Sequence, residues 1–98
     1  MIINVNKDNG KLIITPEGRI DTITAPEFET VIDSNLEGVD DLVLDFKDVQ
    51  YISSAGIRVI LKTLKTMKNQ GNMKLINVND EVMEVFDITG FVDILNIE

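Results

Sequence analysis

The chain has 98 residues, 44% of them apolar, and it carries 17 acidic against 9 basic side chains, for a net charge of −8. This length and composition predict one folded domain spanning residues 1–98, and the acidic balance argues against direct contact with nucleic acid or an anionic membrane. The sequence contains no histidine and no cysteine, which excludes common Ser-His-Asp and Cys-His nucleophilic sites, thiolate or imidazole zinc sites, and disulfides. With neither a secretory signal nor a membrane-length apolar run in the sequence, a cytoplasmic protein is expected.

The first twenty residues predict a β-hairpin. Two apolar runs, MIINV and KLIIT, flank the Asn9-Gly10 step, which favours the positive φ angles of a tight turn. Pro16 lacks an amide proton, so the second strand is expected to end there or to lie at an edge of the sheet.

A helix is predicted next, beginning after Thr24. Thr24 and Glu27 have the spacing of a capping box, and Ile23 and Phe28 have the spacing of a hydrophobic staple. Apolar residues then recur at helical intervals, and Gly38 is the expected terminator.

The rest of the chain alternates predicted strands and helices. DLVLDF at 41–46 is expected to be a central strand, and an amphipathic helix follows YISSAG and ends near Gly71. MKLINV predicts another strand, Asn79 the cap of a third helix that stops at Gly90, and the tail FVDILNIE a docked strand or helical turn. The order β-β-α-β-α-β-α indicates an α/β fold, with a mixed sheet of four to five strands packed with three to four helices.

The serines of YISSAG lie where a strand ends and a helix begins. Ser53 and Ser54 both suit a helix cap, and on the pattern alone capping is the favoured interpretation. The same free amides and helix dipole also favour a negative group, so a phosphate on one of these serines would be tolerated. The small residues Ala55 and Gly56 would let the active site of another protein approach.

Acidic residues form a second candidate. Asp40, Asp41, Asp45 and Asp48 surround the strand at 41–46 and suggest a Mg²⁺ site, although solvated acids are the favoured interpretation, with Asp48 past the strand end. Asp21 follows a strand and precedes a helix, in a loop that could lie at the same end of the sheet as the serines, although a loop or capping acid is the favoured interpretation from the pattern alone. The basic residues along the second helix are interpreted as a solvated face rather than a contact surface.

Three stretches together resemble the STAS-domain anti-sigma factor antagonists of bacteria, over essentially the whole chain. They are GRIDTITAPEFE, LVLDFKDVQYISSAGIRVIL and VFDITGFVDIL. The resemblance implies a single STAS domain that is not an enzyme and has no cofactor or bound metal. It implies that the unphosphorylated protein binds an anti-sigma factor, also a serine kinase, and so frees a sigma factor. The kinase then uses ATP to phosphorylate a serine at a helix start, which ends binding, and a phosphatase resets the switch.

The resemblance also assigns residues. Ser54 matches the phosphorylated serine, and Ser53 competes because it stands where the family often has aspartate. Ala55 stands where the family often has serine or threonine. The positions that match the partner-binding surface are Asp21, Thr22, Ser53, Ser54, Ala55, Gly56, Ile57 and Arg58.

Two other functions remain open from the sequence. One is a STAS scaffold, or a subunit of a signalling or lipid-transport complex, with no phosphate cycle. The other is an enzyme or phospho-aspartate receiver that uses the acidic cluster. The receiver is disfavoured because such a domain would begin with a strand-helix unit, whereas this chain begins with a predicted hairpin.

Overall fold

The computed structural model describes residues 1–98 and contains five strands, three α-helices and a final 3₁₀ turn. The predicted order is confirmed, with one strand added. The elements are β1 (Ile3–Asp8), β2 (Lys11–Ile20), α1 (Ala25–Asp33), β3 (Asp41–Asp45), β4 (Asp48–Ile52), α2 (Ser54–Lys68), β5 (Asn72–Ile76), α3 (Asp80–Ile88) and the turn Phe91–Asp93.

The sheet is mixed, as predicted, and β2 is its organising strand. β1 pairs antiparallel with β2, whereas β3 and β4 both run parallel to it, and β5 runs parallel to β3. The helices α1 and α2 form the crossovers that parallel strands require, and they pack side by side. The first half of β2 therefore pairs with β3, and its second half with β4.

The opening hairpin is confirmed, but the expectation for Pro16 is wrong. Asn9 and Gly10 adopt φ angles of 47° and 84° at the turn. β2 continues through Pro16 to Ile20. The missing amide proton of Pro16 costs no interstrand hydrogen bond, because this residue lies between the two parallel pairings of β2. The pairing of β2 with β3 ends at Ile14, and its pairing with β4 begins at Glu17.

The sequence prediction missed β4, which it left as a connection after 41–46. Only two residues separate β3 from β4, and Asp48 begins β4 rather than lying in a loop past a strand end. A register shift between Gly18 and Arg19 of β2 lets the ladder resume and bring Ile52 opposite Ile20. This short strand carries the chain directly to Ser53 and Ser54.

The start and end of α1 also differ from expectation. Thr24 precedes the helix in a helical backbone conformation (φ −92°, ψ −21°), and its side chain makes no capping bond. Ile23 is 87% exposed while Phe28 is fully buried, so the two residues form no hydrophobic staple. The helix ends at Asp33, well before Gly38, with Ser34 as its C-terminal cap.

The remaining elements follow the prediction. The side chain of Asn79 caps α3 by accepting a hydrogen bond of 2.8 Å from the amide of Val82. The tail forms the turn at Phe91–Asp93, and Ile97 then makes a parallel bridge with Leu75 of β5. Apolar side chains of the sheet and all three helices form one buried core. None of the helices combines the length and apolar character needed to cross a membrane.

Candidate functional site

The ends of β2 and β4 bring the predicted site residues together. Ile20 and Ile52 are paired as the last residues of these parallel strands. Beyond them, the amide of Ser53 donates a 2.8 Å hydrogen bond to the carbonyl oxygen of Ile20. The loop that contains Asp21 and the start of α2 therefore begin side by side, which confirms that Asp21 lies at the same end of the sheet as the two serines.

The two serines have different roles in the local structure. Ser53 has extended backbone angles (φ −98°, ψ 177°), and its hydroxyl oxygen accepts a hydrogen bond of 3.2 Å from the amide of Ala55. Ser53 is therefore the cap of α2. Ser54 is the first residue of the helix and is exposed to solvent. The capping role falls to Ser53, and the Ser54 hydroxyl is left at the surface.

Asp21 organises the loop between β2 and α1. Its Oδ1 accepts hydrogen bonds from the amides of Ile23 (3.0 Å) and Thr24 (3.1 Å). The hydroxyl oxygen of Thr24 in turn accepts a bond of 2.9 Å from the amide of Asp21, and it donates to the carbonyl oxygen of Arg19 at 2.7 Å. The amide of Thr24 is the main cause that lowers the pKa of Asp21, against an opposing contribution from desolvation. A charged Asp21 thus stabilises the conformation that this loop adopts.

Arg19 connects the Asp21 loop to β4. Its guanidinium group lies 4.4 Å from the ring centre of Tyr51, the residue opposite it in the parallel ladder. Its Nε is 3.9 Å from Oδ2 of Asp21. The residues that lead into the two loops are therefore in contact with each other as well as paired through the backbone.

Ile23 is a surface residue that the sequence interpretation missed. Its amide is held by Asp21, while its side chain is the most exposed of the large hydrophobic residues in the chain. Thr22, beside it, is also exposed. The staple spacing predicted that Ile23 packs against Phe28. No local pattern indicated that the hydrogen bonds of Asp21 would leave the side chain of Ile23 exposed.

Gly56 and Ile57 lie beneath this surface. Both are buried. A Cβ atom on Gly56 would lie 2.7 Å from Cγ2 of Ile20 and 2.7 Å from Cγ1 of Ile52, so only glycine lets the start of α2 approach the strand ends this closely. Within the predicted site, these two residues support the exposed ones through packing.

Two grooves flank the first turns of α2. One, of about 310 Å³, lies between α1 and α2, and the other, of about 230 Å³, lies between α2 and the C-terminal part of the chain. Arg58 lines both grooves. The smaller groove is lined by Ser54, Ile57, Arg58, Leu61, Thr89 and Phe91.

The acids around β3 were the second candidate site. No three acidic side chains of the chain lie close enough together to hold a cation. Oδ1 of Asp45 accepts hydrogen bonds from the amide of Lys47 and from Nδ2 of Asn77, which gives this carboxylate a structural role at the end of β3. The structure thus offers no support for a Mg²⁺ site at the acids around β3.

The family follows from comparison with known proteins. A family model of the STAS domain matches residues 2–98, so the chain belongs to the STAS domain family. The anti-sigma-B factor antagonist of Bacillus subtilis (strain 168) is 33% identical over 96 residues, which covers 97% of this chain and 88% of that protein. Within the STAS family, the chain accordingly belongs with the anti-sigma factor antagonists.

Solved structures share the fold. An anti-sigma factor antagonist from Mycobacterium paratuberculosis superposes with a TM-score of 0.88 at 20% identity, covering 98% of this chain and 83% of that one. The phosphorylated form of SpoIIAA, a Bacillus cell fate determinant, superposes with a TM-score of 0.75 at 15% identity, covering 99% and 91%. The order of strands and helices described above is therefore the STAS fold.

Proposed function

We propose that this protein is an anti-sigma factor antagonist whose unphosphorylated form binds an anti-sigma factor with serine kinase activity and so releases a sigma factor. The B. subtilis relative, at 33% identity over nearly the whole chain, is named an anti-sigma-B factor antagonist. The single structural observation that carries the proposal is that the two serines have different structural roles. Ser53 is engaged as the helix cap, and Ser54 is exposed at the surface.

The proposed partner surface is composite. Asp21, Thr22 and Ile23 supply one side from the β2–α1 loop. Ser53, Ser54, Ala55 and Arg58 supply the other side from the start of α2, with Gly56 and Ile57 packed beneath. Support for a shared surface comes from the hydrogen bond between Ser53 and Ile20 and from the grooves that flank the helix.

Phosphorylation of Ser54 is proposed to switch the binding off. In the transfer, the bond between the γ-phosphorus of ATP and its bridging oxygen breaks, and a bond from phosphorus to Oγ of Ser54 forms. The hydroxyl proton leaves to a base of the kinase, and ADP departs. The product carries nearly two negative charges, and burying such a group without compensation in a packed interface is costly. The protein is the substrate of this reaction and not its catalyst, and a phosphatase would restore the hydroxyl.

The test is binding and phosphorylation by the cognate kinase. Ser54→Asp should weaken the complex, whereas Ser54→Ala should bind as wild type does and take up no phosphate. Ser53→Ala should still be labelled, because it removes only the cap. Equal labelling of wild type and Ser54→Ala, with phosphate on Ser53 in both, would overturn the assignment.

A STAS scaffold or complex subunit without a phosphate cycle is the second candidate. The observation that favours it is Ser53, which stands where the resembling proteins often carry aspartate. An unchanged intact mass after incubation with ATP and the cognate kinase, together with retained partner binding, would support this candidate against the switch.

A further inference from the structure

The charged residue nearest to Ser54 along α2 is Arg58, one helical turn further on. Both residues are exposed, and both line the same groove of about 230 Å³. Side chains four residues apart on a helix are neighbours, and an anion placed N-terminal to a cation is the favourable orientation. From this we infer that Arg58 binds the phosphate group carried by Ser54, an inference that rests on the proposed function.

Arg58 is free to accept a new anion. The ion pairs of the chain engage Arg19, Lys62, Lys74 and the N-terminal amine, and none of them involves Arg58. Glu29, the acid in the groove between α1 and α2, contacts Lys62 at 2.9 Å. Asp21, on the neighbouring loop, has its carboxylate occupied by two amides and Arg19. The other basic groups that flank the site already have partners, which leaves the guanidinium of Arg58 for the phosphate.

The groove explains what this contact would do. Apart from Arg58, its lining is uncharged: Ile57, Leu61 and Phe91 are apolar, and Thr89 is polar and neutral. A phosphate drawn toward Arg58 would lie at the rim of this groove, with a bidentate guanidinium contact fixing its position. The dianion would then block a partner side chain from entering the apolar groove. This effect adds to the charge repulsion that the modification itself introduces.

The test measures the phosphate directly. Protein with phosphoserine incorporated at position 54 by genetic encoding removes any dependence on the kinase. The second pKa of the phosphate, about 6 for phosphoserine, is followed by ³¹P NMR titration. A nearby guanidinium stabilises the dianion, so this pKa should be about 0.3 to 0.7 higher in Arg58→Gln than in the otherwise wild-type protein, the size expected of an exposed ion pair. Arg58→Lys should restore part of the difference.

Controls separate this contact from a general effect of charge. Lys65→Gln removes an exposed positive charge from the same helix, two turns beyond Arg58, and should leave the titration unchanged. Identical titrations of wild type and Arg58→Gln would overturn the inference, and so would a shift caused by Lys62→Gln in place of Arg58→Gln. A kinase that fails to label Ser54 would refute the proposed function while leaving this titration interpretable.

Discussion

The amide of Ser53 donates a 2.8 Å hydrogen bond to the carbonyl oxygen of Ile20. This bond continues the parallel ladder between β2 and β4 for one step past the paired residues Ile20 and Ile52. It fixes the cap of α2 against the start of the Asp21 loop, so the two halves of the proposed partner surface have a set mutual position. Changes in either loop are therefore expected to affect binding through the other.

Replacing Asp21 by Asn should destabilise the protein at neutral pH. The amide oxygen can still accept hydrogen bonds, but the charge that strengthens them is lost. Because the folded protein lowers the pKa of Asp21 from its ordinary value of 3.8, the stabilisation by its carboxylate is present above that value and is lost as pH falls through the lowered pKa. The difference in Tm between wild type and variant should thus shrink toward zero in strong acid.

The control for this pH dependence is Asp48→Asn, which removes an exposed acid outside the loop. Thermal melts of wild type and both variants from pH 2 to pH 7 are the measurement. A Tm difference for Asp21→Asn that stays constant down to pH 2 would show that the carboxylate charge does not hold the loop.

Elements fixed by local contacts were predictable from the sequence. The Asn9-Gly10 turn requires only that two adjacent residues take positive φ, and the cap at Asn79 requires only an amide three residues away. β4 is only five residues long and depends on pairing with β2 some thirty residues earlier, across a register shift, so its local pattern alone does not separate it from β3. The prediction that β2 ends at Pro16 or lies at an edge failed for the same reason. A proline fits inside β2 because it lies in the gap between the pairing with β3 and the pairing with β4.

The site was predictable in its members but not in their roles. The sequence places Asp21 and the serines at strand ends, and the parallel ladder brings them together. Which serine caps α2 depends on a helix boundary, and a difference of one residue exchanges Ser53 and Ser54. The carboxylate of Asp21 takes the amide of Thr24, which Glu27 would use in a capping box. Its second hydrogen bond, from the amide of Ile23, belongs to a loop conformation that leaves the Ile23 side chain outside the core.

Replacing Ile23 by Ser should weaken partner binding while leaving stability nearly unchanged. The side chain is 87% exposed, so its removal costs little in the free protein, within the ±0.5 kcal/mol range of surface substitutions. A side chain that becomes buried in the complex contributes about 1.5 to 3 kcal/mol, which predicts a dissociation constant roughly ten- to a hundredfold higher. Titration calorimetry with the unphosphorylated protein and its partner measures the change.

Val5→Ser supplies the comparison for Ile23. Val5 is an exposed apolar residue on β1, outside the proposed surface, so its replacement should leave the affinity unchanged. Equal affinities for Ile23→Ser and wild type would remove Ile23 from the interface.

Replacing Lys62 by Met should lower stability by removing the ion pairs that link α1 to α2. Lys62 contacts Glu29 at 2.9 Å and Asp33 at 3.0 Å, and these two acids, Glu29 first, raise its pKa from the ordinary value of 10.5. The stabilisation is therefore complete below 10.5 and is lost as pH rises through the raised pKa. The side chains are exposed, so the loss should be small and should diminish further at high salt.

The matched control for Lys62→Met is Lys65→Met on the same helix, which breaks no ion pair. Urea denaturation at pH 7 and at pH 11.5, in low and high salt, gives the comparison. If Lys62→Met lowers the free energy of unfolding equally at both pH values and independently of salt, the loss comes from packing and not from the ion pairs.

Replacing Gly56 by Ala should destabilise the protein even though alanine is the better helix former. Alanine normally gains about 1 kcal/mol over glycine inside a helix. Here the added Cβ would lie 2.7 Å from side-chain atoms of both Ile20 and Ile52, which belong to the fully buried core. Overpacking of this kind costs about 1 to 3 kcal/mol, so the net change in the free energy of unfolding should be a loss of up to about 2 kcal/mol. The start of α2 would also be pushed away from the ends of β2 and β4, which should weaken partner binding as well.

The control is Thr66→Ala, at an exposed position of the same helix, which should be neutral or stabilising in the same urea denaturation series. A Gly56→Ala protein at least as stable as wild type would contradict the close approach of α2 to β2 and β4.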